Sequence, residues 1–168
     1  MHKGKVVAEK GEYKNFFLKF MGENGWKVFG REPSPEASKY AHSLGLNVFN
    51  TTLKEFLEKK WYGYFNAINL KCMLEHVPNP IEILKICKSL LKDSGIICVE
   101  VPNDFNTLQL QVVQKLGKPQ WWIAIPDHIN YFDFYRLEKL LESLGFEIVL
   151  RTTNFPMEIF LTMGDDYV

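Results

Sequence analysis

Gly11 and Glu32 stand roughly 20 residues apart, the interval at which a ribose-binding acid follows a glycine turn between two strands. A carboxylate at such a position can accept both ribose hydroxyls. Gly11 with one downstream acid fits any adenosine-containing ligand, and Glu32 also reads as a helix-flanking acid beside Ser34. Two histidines could carry protons. His128, preceded by Asp127, could act as a general base on a poorly ionised hydroxyl or a carbon acid, or make a structural hydrogen bond. His76 could tie its loop to the backbone ahead of Pro78. His2 and His42 read as a terminal and a helix-surface residue. Cys72, Cys87 and Cys98 form no CxxC pair and sit in apolar segments. No metal site is expected from them; buried free thiols in a reducing cytosol fit better.

Positioning these residues requires an alternation of strands and helices. Short apolar runs at 5–9, 27–30, 47–49, 65–70, 96–101 and 146–150 read as six strands. The run 96–101 has the continuous apolar character of a strand covered on both faces. Between the runs lie amphipathic helices with clear caps. Phe16, Phe17, Phe20 and Met21 share one expected face, as do Ala37, Tyr40, Ala41 and Leu44. Ser34-Pro35-Glu36 is a helix start, and Gly45 a stop. Leu53, Phe56 and Leu57 mark a small helix. Asn79-Pro80 opens a helix with Ile83, Leu84, Cys87, Leu90 and Leu91 inward, and Asp93-Ser94-Gly95 makes a turn. Asp133 caps a helix with Leu137, Leu140, Leu141 and Leu144 inward. Residues 157–163 read as a further edge strand.

The pattern predicts an α/β fold: a Rossmann-like open, mostly parallel sheet with helices on both faces, in a single domain over 1–168. Residues 102–128 interrupt the rhythm with a helical piece (108–116) and the pair Trp121-Trp122. An insertion beyond the carboxyl ends of the strands is expected to act as a substrate lid, although the tryptophans could equally cover core surface. The end at Val168 carries no capping element and reads as a chain cut short of something longer.

The 168 residues hold 20 basic and 20 acidic side chains, so no charge excess points to nucleic acid. No run is long and apolar enough for a membrane span, and the first residues lack a signal core. A cytoplasmic protein with a small-molecule partner and no membrane is expected.

Glu32-Pro33-Ser34, Phe65-Asn66-Ala67-Ile68, Leu74-Glu75-His76-Val77-Pro78-Asn79-Pro80, His128-Ile129-Asn130-Tyr131-Phe132 and Leu144-Gly145-Phe146-Glu147 occur in this order. Together they resemble class I S-adenosylmethionine-dependent methyltransferases of the small-molecule and glycan-modifying type, over nearly the whole chain. The resemblance implies S-adenosylmethionine as cofactor and a small-molecule or sugar-linked methyl acceptor. It implies that Glu32 and Pro33 lie at the ribose, and Asn50, Thr51 and Thr52 near the adenine. It places Leu70, Lys71 and Cys72 beside the methionine part, with His76 close to the cofactor edge.

In such enzymes an acid and three alternating glycines precede the first helix. Glu9 and Gly11 match the acid and the first glycine, whereas the positions that resemble the second and third glycines hold Tyr13 and Asn15. Asparagine tolerates the left-handed backbone; tyrosine adds a ring where the cofactor approaches. The expectation is a methyltransferase with an impaired or reshaped cofactor loop. Its rival is a non-catalytic methyltransferase-like binding protein. A nicotinamide-dependent oxidoreductase ranks last, because no Gly-x-Gly-x-x-Gly turn is present.

Overall fold

A computed structural model describes residues 4–8, 14–56, 61–154 and 156–164. The chain divides into two compact units, residues 1–101 and 102–168. The first contains β1 (Gly4–Ala8), α1 (Lys14–Glu23), β2 (Trp26–Arg31), α2 (Pro35–Ser43), β3 (Val48–Phe49), α3 (Leu53–Phe56), β4 (Phe65–Lys71), a 3-10 turn (Leu74–His76), α4 (Pro80–Leu90) and β5 (Leu91–Glu100).

The five strands form one parallel sheet in the order β3-β2-β1-β4-β5. Val6 sits opposite Val28 on one side and Ala67 on the other, so β2, β1 and β4 form the centre of the sheet. Between Phe65↔Leu91 and Ala67↔Ile96, two steps along β4 are matched by five along β5. The expected turn at Asp93-Ser94-Gly95 is therefore an extrusion within β5 itself.

Packing explains the register. Leu18 of α1 is fully buried with Ala41 and Val48, and Phe17, Val28 and Leu46 pack around them. Gly30 makes this possible: a Cβ there would lie 2.7 Å from both Leu18 Cδ1 and Val48 Cγ2. Phe29, one residue earlier, points to the opposite face. Its ring meets Trp61 at 5.5 Å and Phe65 at 5.6 Å, and Phe56 stacks on Trp61 at 5.2 Å. Ile83, Leu84, Ile86, Cys87 and Leu90 of α4 are buried as well.

Several expectations are corrected. Phe16 and Phe20 are exposed; α1 turns Leu18 inward, because the Gly30 notch admits that side chain. In α2 the buried positions are Ser38 and Ala41, with Tyr40 and Leu44 exposed. β5 is not covered on both faces. Ile96 is 58% exposed, since β5 is the edge strand of this sheet among the described residues. For the same reason Cys98 is exposed; Cys72, past the end of β4, is too, and only Cys87 is buried. Leu57 lies outside the described residues.

The second unit contains α5 (Thr107–Leu116), α6 (Phe134–Ser143) and α7 (Met157–Met163). Asn106 and Gln109 close a reciprocal capping box on α5, and the Asp133 carboxylate accepts the Arg136 N–H at the start of α6. α5 packs against α7. Residues 146–150 join no sheet, contrary to the expected sixth strand. Val149 and Leu150 are largely exposed, and β-rich composition makes a strand only where a neighbour supplies the ladder. Residues 157–163 are helical rather than an edge strand. Glu158 and Leu161 are buried one turn apart, a helical spacing that a short, largely apolar segment does not reveal.

Candidate functional site

Strand order reverses at β1, whose neighbours β2 and β4 lie on either side; the carboxyl ends flanking that point are where open parallel sheets bind ligands. Glu32 follows β2 directly and is buried. Its N–H donates to Phe49 O at 2.9 Å, and its Oε1 accepts the Ser34 N–H at 3.0 Å. The acid thus sits at a strand end and takes the helix-flanking role, bracing the start of α2.

Asn50 locks the loops after β2 and β3 together, donating from Nδ2 to Glu32 O at 2.9 Å and Pro33 O at 3.0 Å. Thr51 Oγ1 donates to Glu55 Oε2 at 3.1 Å, and Thr52 and Glu55 exchange N–H bonds at the start of α3. These bonds hold the Glu55 carboxyl below its usual range, the Thr52 backbone bond being the largest cause. Arg31, which sequence reasoning passed over, is buried beneath this edge and donates to Thr51 O at 3.0 Å. Burial pulls its guanidinium down to about 10, against the opposing pull of Cys87, Glu32 and Glu55, so it stays a cation at neutral pH. Glu32, Pro33, Asn50 and Thr51 are thereby drawn into one polar edge.

β4 ends on Leu70, fully buried, and Lys71, whose Nζ lies 2.8 Å from Glu100 Oε1 at the end of β5. Cys72 N donates to Glu100 O at 2.8 Å while its backbone takes φ 46. Burial, then Glu75 and Glu100, push the Cys72 thiol up. His76 Nε2 lies 3.8 Å from Oε1 of the buried Glu75. Glu75, quoted in the sequence only as part of the Leu74–Pro80 motif, and Glu100 were not assigned to the site there. An acid within an apolar turn or ending an apolar strand was the available signal.

In the second unit, His128 is half-buried, with its N–H on Ala124 O at 2.8 Å and its ring 6.3 Å from Tyr131. Glu9, Gly11 and Tyr13 lie outside the described residues, and Asn15 falls in the first turn of α1.

These groups fit an adenosyl sulfonium. The buried Glu32 carboxylate is a group to which ribose hydroxyls can donate, and the Lys71 cation at the end of β4 is paired with Glu100.

The model of the methyltransferase domain family matches residues 4–151. The chain is 33% identical over 139 residues to the ubiquinone biosynthesis O-methyltransferase of Actinobacillus pleuropneumoniae serotype 7, covering 77% of this chain and 58% of that protein. It is 43% identical over 85 residues to the protein of that name from Histophilus somni, covering 49% and 35%. Among solved structures, an S-adenosylmethionine-dependent methyltransferase from Archaeoglobus fulgidus superposes with a TM-score of 0.67 at 21% identity, covering 95% of this chain and 75% of that one. One from Mesorhizobium loti gives 0.68 at 13%, covering 96% and 83%. The chain belongs to the methyltransferase domain family and has the fold of the class I S-adenosylmethionine-dependent enzymes. It spans less than two thirds of the length of the curated relatives it matches.

Proposed function

We propose that this chain carries the cofactor site of an S-adenosylmethionine-dependent methyltransferase that methylates an oxygen of a small molecule. The buried Glu32 at the end of β2, braced by Ser34 and Asn50, is the observation that carries the reading. The choice of oxygen rests on the relatives, which are named O-methyltransferases. A sugar-linked hydroxyl stays within it.

S-adenosylmethionine supplies a methyl group bound to a cationic sulfur. In this reading Glu32 accepts the ribose hydroxyls, with Pro33 beside it; Asn50 and Thr51 border the adenine. Glu9, Gly11, Tyr13 and Asn15, with Leu70, Lys71, Cys72 and His76, border the methionine part. Residues 102–128 contact the acceptor. In this reading His128 would take the acceptor's hydroxyl proton, and the cofactor would supply the methyl group.

The rival is a non-catalytic relative, favoured by Tyr13 and Asn15 in the glycine positions. Calorimetric titration with S-adenosylmethionine and S-adenosylhomocysteine separates the two. Saturable binding of both supports the enzyme reading; no binding of either overturns it.

A further inference from the structure

Within the second unit, residues 103–106 lie beside residues 130–132, because the Asp104 N–H donates to Phe132 O at 2.7 Å. That bond sets the Phe105 ring 5.8 Å from Tyr131, with the planes at 69°. Phe105 also meets Trp122 edge-on, at 5.6 Å and 83°. Trp121 meets Trp122 at 5.0 Å and 84°. The exposed Phe105 ring thus lies against the buried Trp122 and the half-buried Tyr131, with Trp121 behind Trp122.

Phe105 is unusual in two ways. Its backbone has φ 55, in the left-handed region that penalises an L side chain. Its side chain is 41% exposed, although it touches Trp122, which is only 6% exposed. The rings it covers are also unusual. Trp122 Nε1 and the Tyr131 hydroxyl are buried and, among the described residues, have no hydrogen-bond partner. Buried indole and phenol groups ordinarily find one, and an orphan calls for an explanation.

We propose that the Phe105 ring fills, in the resting protein, a subsite for a flat hydroxylated aromatic ring, which is the methyl acceptor. The proposal rests on the methyltransferase reading above for the word acceptor, but not for the subsite. A ligand ring taking the place of Phe105 inherits its edge contacts with Trp122 and Tyr131. Its oxygen supplies what the phenyl ring lacks: a lone pair for the indole N–H, which only donates, and a partner for the phenol, which donates or accepts. A methylammonium cation would suit an aromatic box, but it has no lone pair to offer that N–H. Phe105 leaves at small cost, since it is half out in solvent and its departure relieves a strained backbone. The ring of His128, 6.3 Å from Tyr131, borders the same cluster and supplies a base for the hydroxyl proton.

The test uses the whole chain labelled with 15N-tryptophan. The sequence has four tryptophans, and the indole signal of Trp122 is the one missing from Trp122→Phe. Titration with 2-naphthol should move that signal downfield as its N–H gains an acceptor. Trp122→Phe and Tyr131→Phe should each weaken naphthol binding about three- to tenfold, the range of one neutral hydrogen bond. Phe105→Gly should tighten it. A Trp122 signal unmoved at saturation, unchanged affinity in both phenylalanine variants, or a shift driven by tetramethylammonium in place of naphthol overturns the subsite. S-adenosylhomocysteine is titrated into the same samples. If it binds while naphthol leaves Trp122 unmoved, the subsite falls and the methyltransferase reading stands. If naphthol acts as expected and S-adenosylhomocysteine does not bind, the subsite stands and the enzyme reading falls.

Discussion

Lys71 and Glu100 close a salt bridge across the carboxyl ends of β4 and β5, with Nζ 2.8 Å from Oε1 and donating to Oε2 at 3.0 Å. Both side chains are about one-third exposed, so the pair adds little to stability, about 0–1 kcal/mol. Its consequence is electrostatic. Glu100→Gln removes the carboxylate that faces the Lys71 cation beside the proposed methionine end. S-adenosylmethionine carries a positive sulfur and S-adenosylhomocysteine does not, so the variant should lose affinity for the former alone, about two- to fivefold. Calorimetry of both ligands on both proteins reads the ratio. Equal losses would place Lys71 away from the sulfur.

Glu32 offers a sharper cut. Glu32→Ala removes a charged acceptor and should weaken S-adenosylmethionine binding by about 1.5–3 kcal/mol. It also releases the Ser34 N–H that opens α2. Glu32→Gln keeps an oxygen for that N–H and loses the charge. It should retain wild-type thermal stability and still bind weakly. Full affinity in Glu32→Gln would show that the ribose lies elsewhere.

The central sheet was legible because each of its strands is bounded by a cap or a glycine, and three of the caps hold as written: Ser34, Asn79 and Asp133 each accept an N–H three residues on. Helix faces were less legible. Phe16 and Phe20 out-rank Leu18 in bulk, but the inward position was decided by the notch at Gly30, a property of two elements packed together. Residues 146–150 look like a strand to any local criterion, yet a strand exists only with a partner. At the site, Glu32 was visible because its spacing from Gly11 is a chemical pattern. Arg31, Glu75 and Glu100 were invisible because their significance is burial or a cross-strand partner, which no spacing encodes.

The start of α3 should respond to acid. Thr52 and Thr51 hydrogen bonds favour the Glu55 carboxylate and depress its pKa in the folded chain. A depressed acid contributes stability that is complete above its unfolded pKa, near 4.5, and is lost as pH falls through the lower folded value. Thermal melts of wild type and Glu55→Gln should differ at neutral pH and converge only on the acid side of that range. A gap that is constant from neutral pH to the acid limit would mean the ionised form carries none of the cap.

The loop ahead of α1 decides between enzyme and non-catalytic relative. Tyr13 and Asn15 stand at positions that resemble the second and third glycines of the family's first loop. Glycine lets backbone approach a ligand closely and take positive φ; tyrosine adds a ring and penalises that conformation. Lys14, between them, adds a positive charge to this loop. The expected outcome is that Tyr13→Gly/Asn15→Gly binds S-adenosylhomocysteine more tightly than wild type. That ligand is the right probe because its neutral sulfur leaves the steric effect separate from the lysine's charge. Adding S-adenosylmethionine to the comparison then reads the charge: a larger wild-type penalty for the cationic ligand assigns the excess to a lysine, and Glu100→Gln shows whether Lys71, paired with Glu100 in the wild type, contributes. Equal or weaker binding of S-adenosylhomocysteine in the double variant would mean that the native loop is already shaped to its ligand, and the non-catalytic reading would lose its main support.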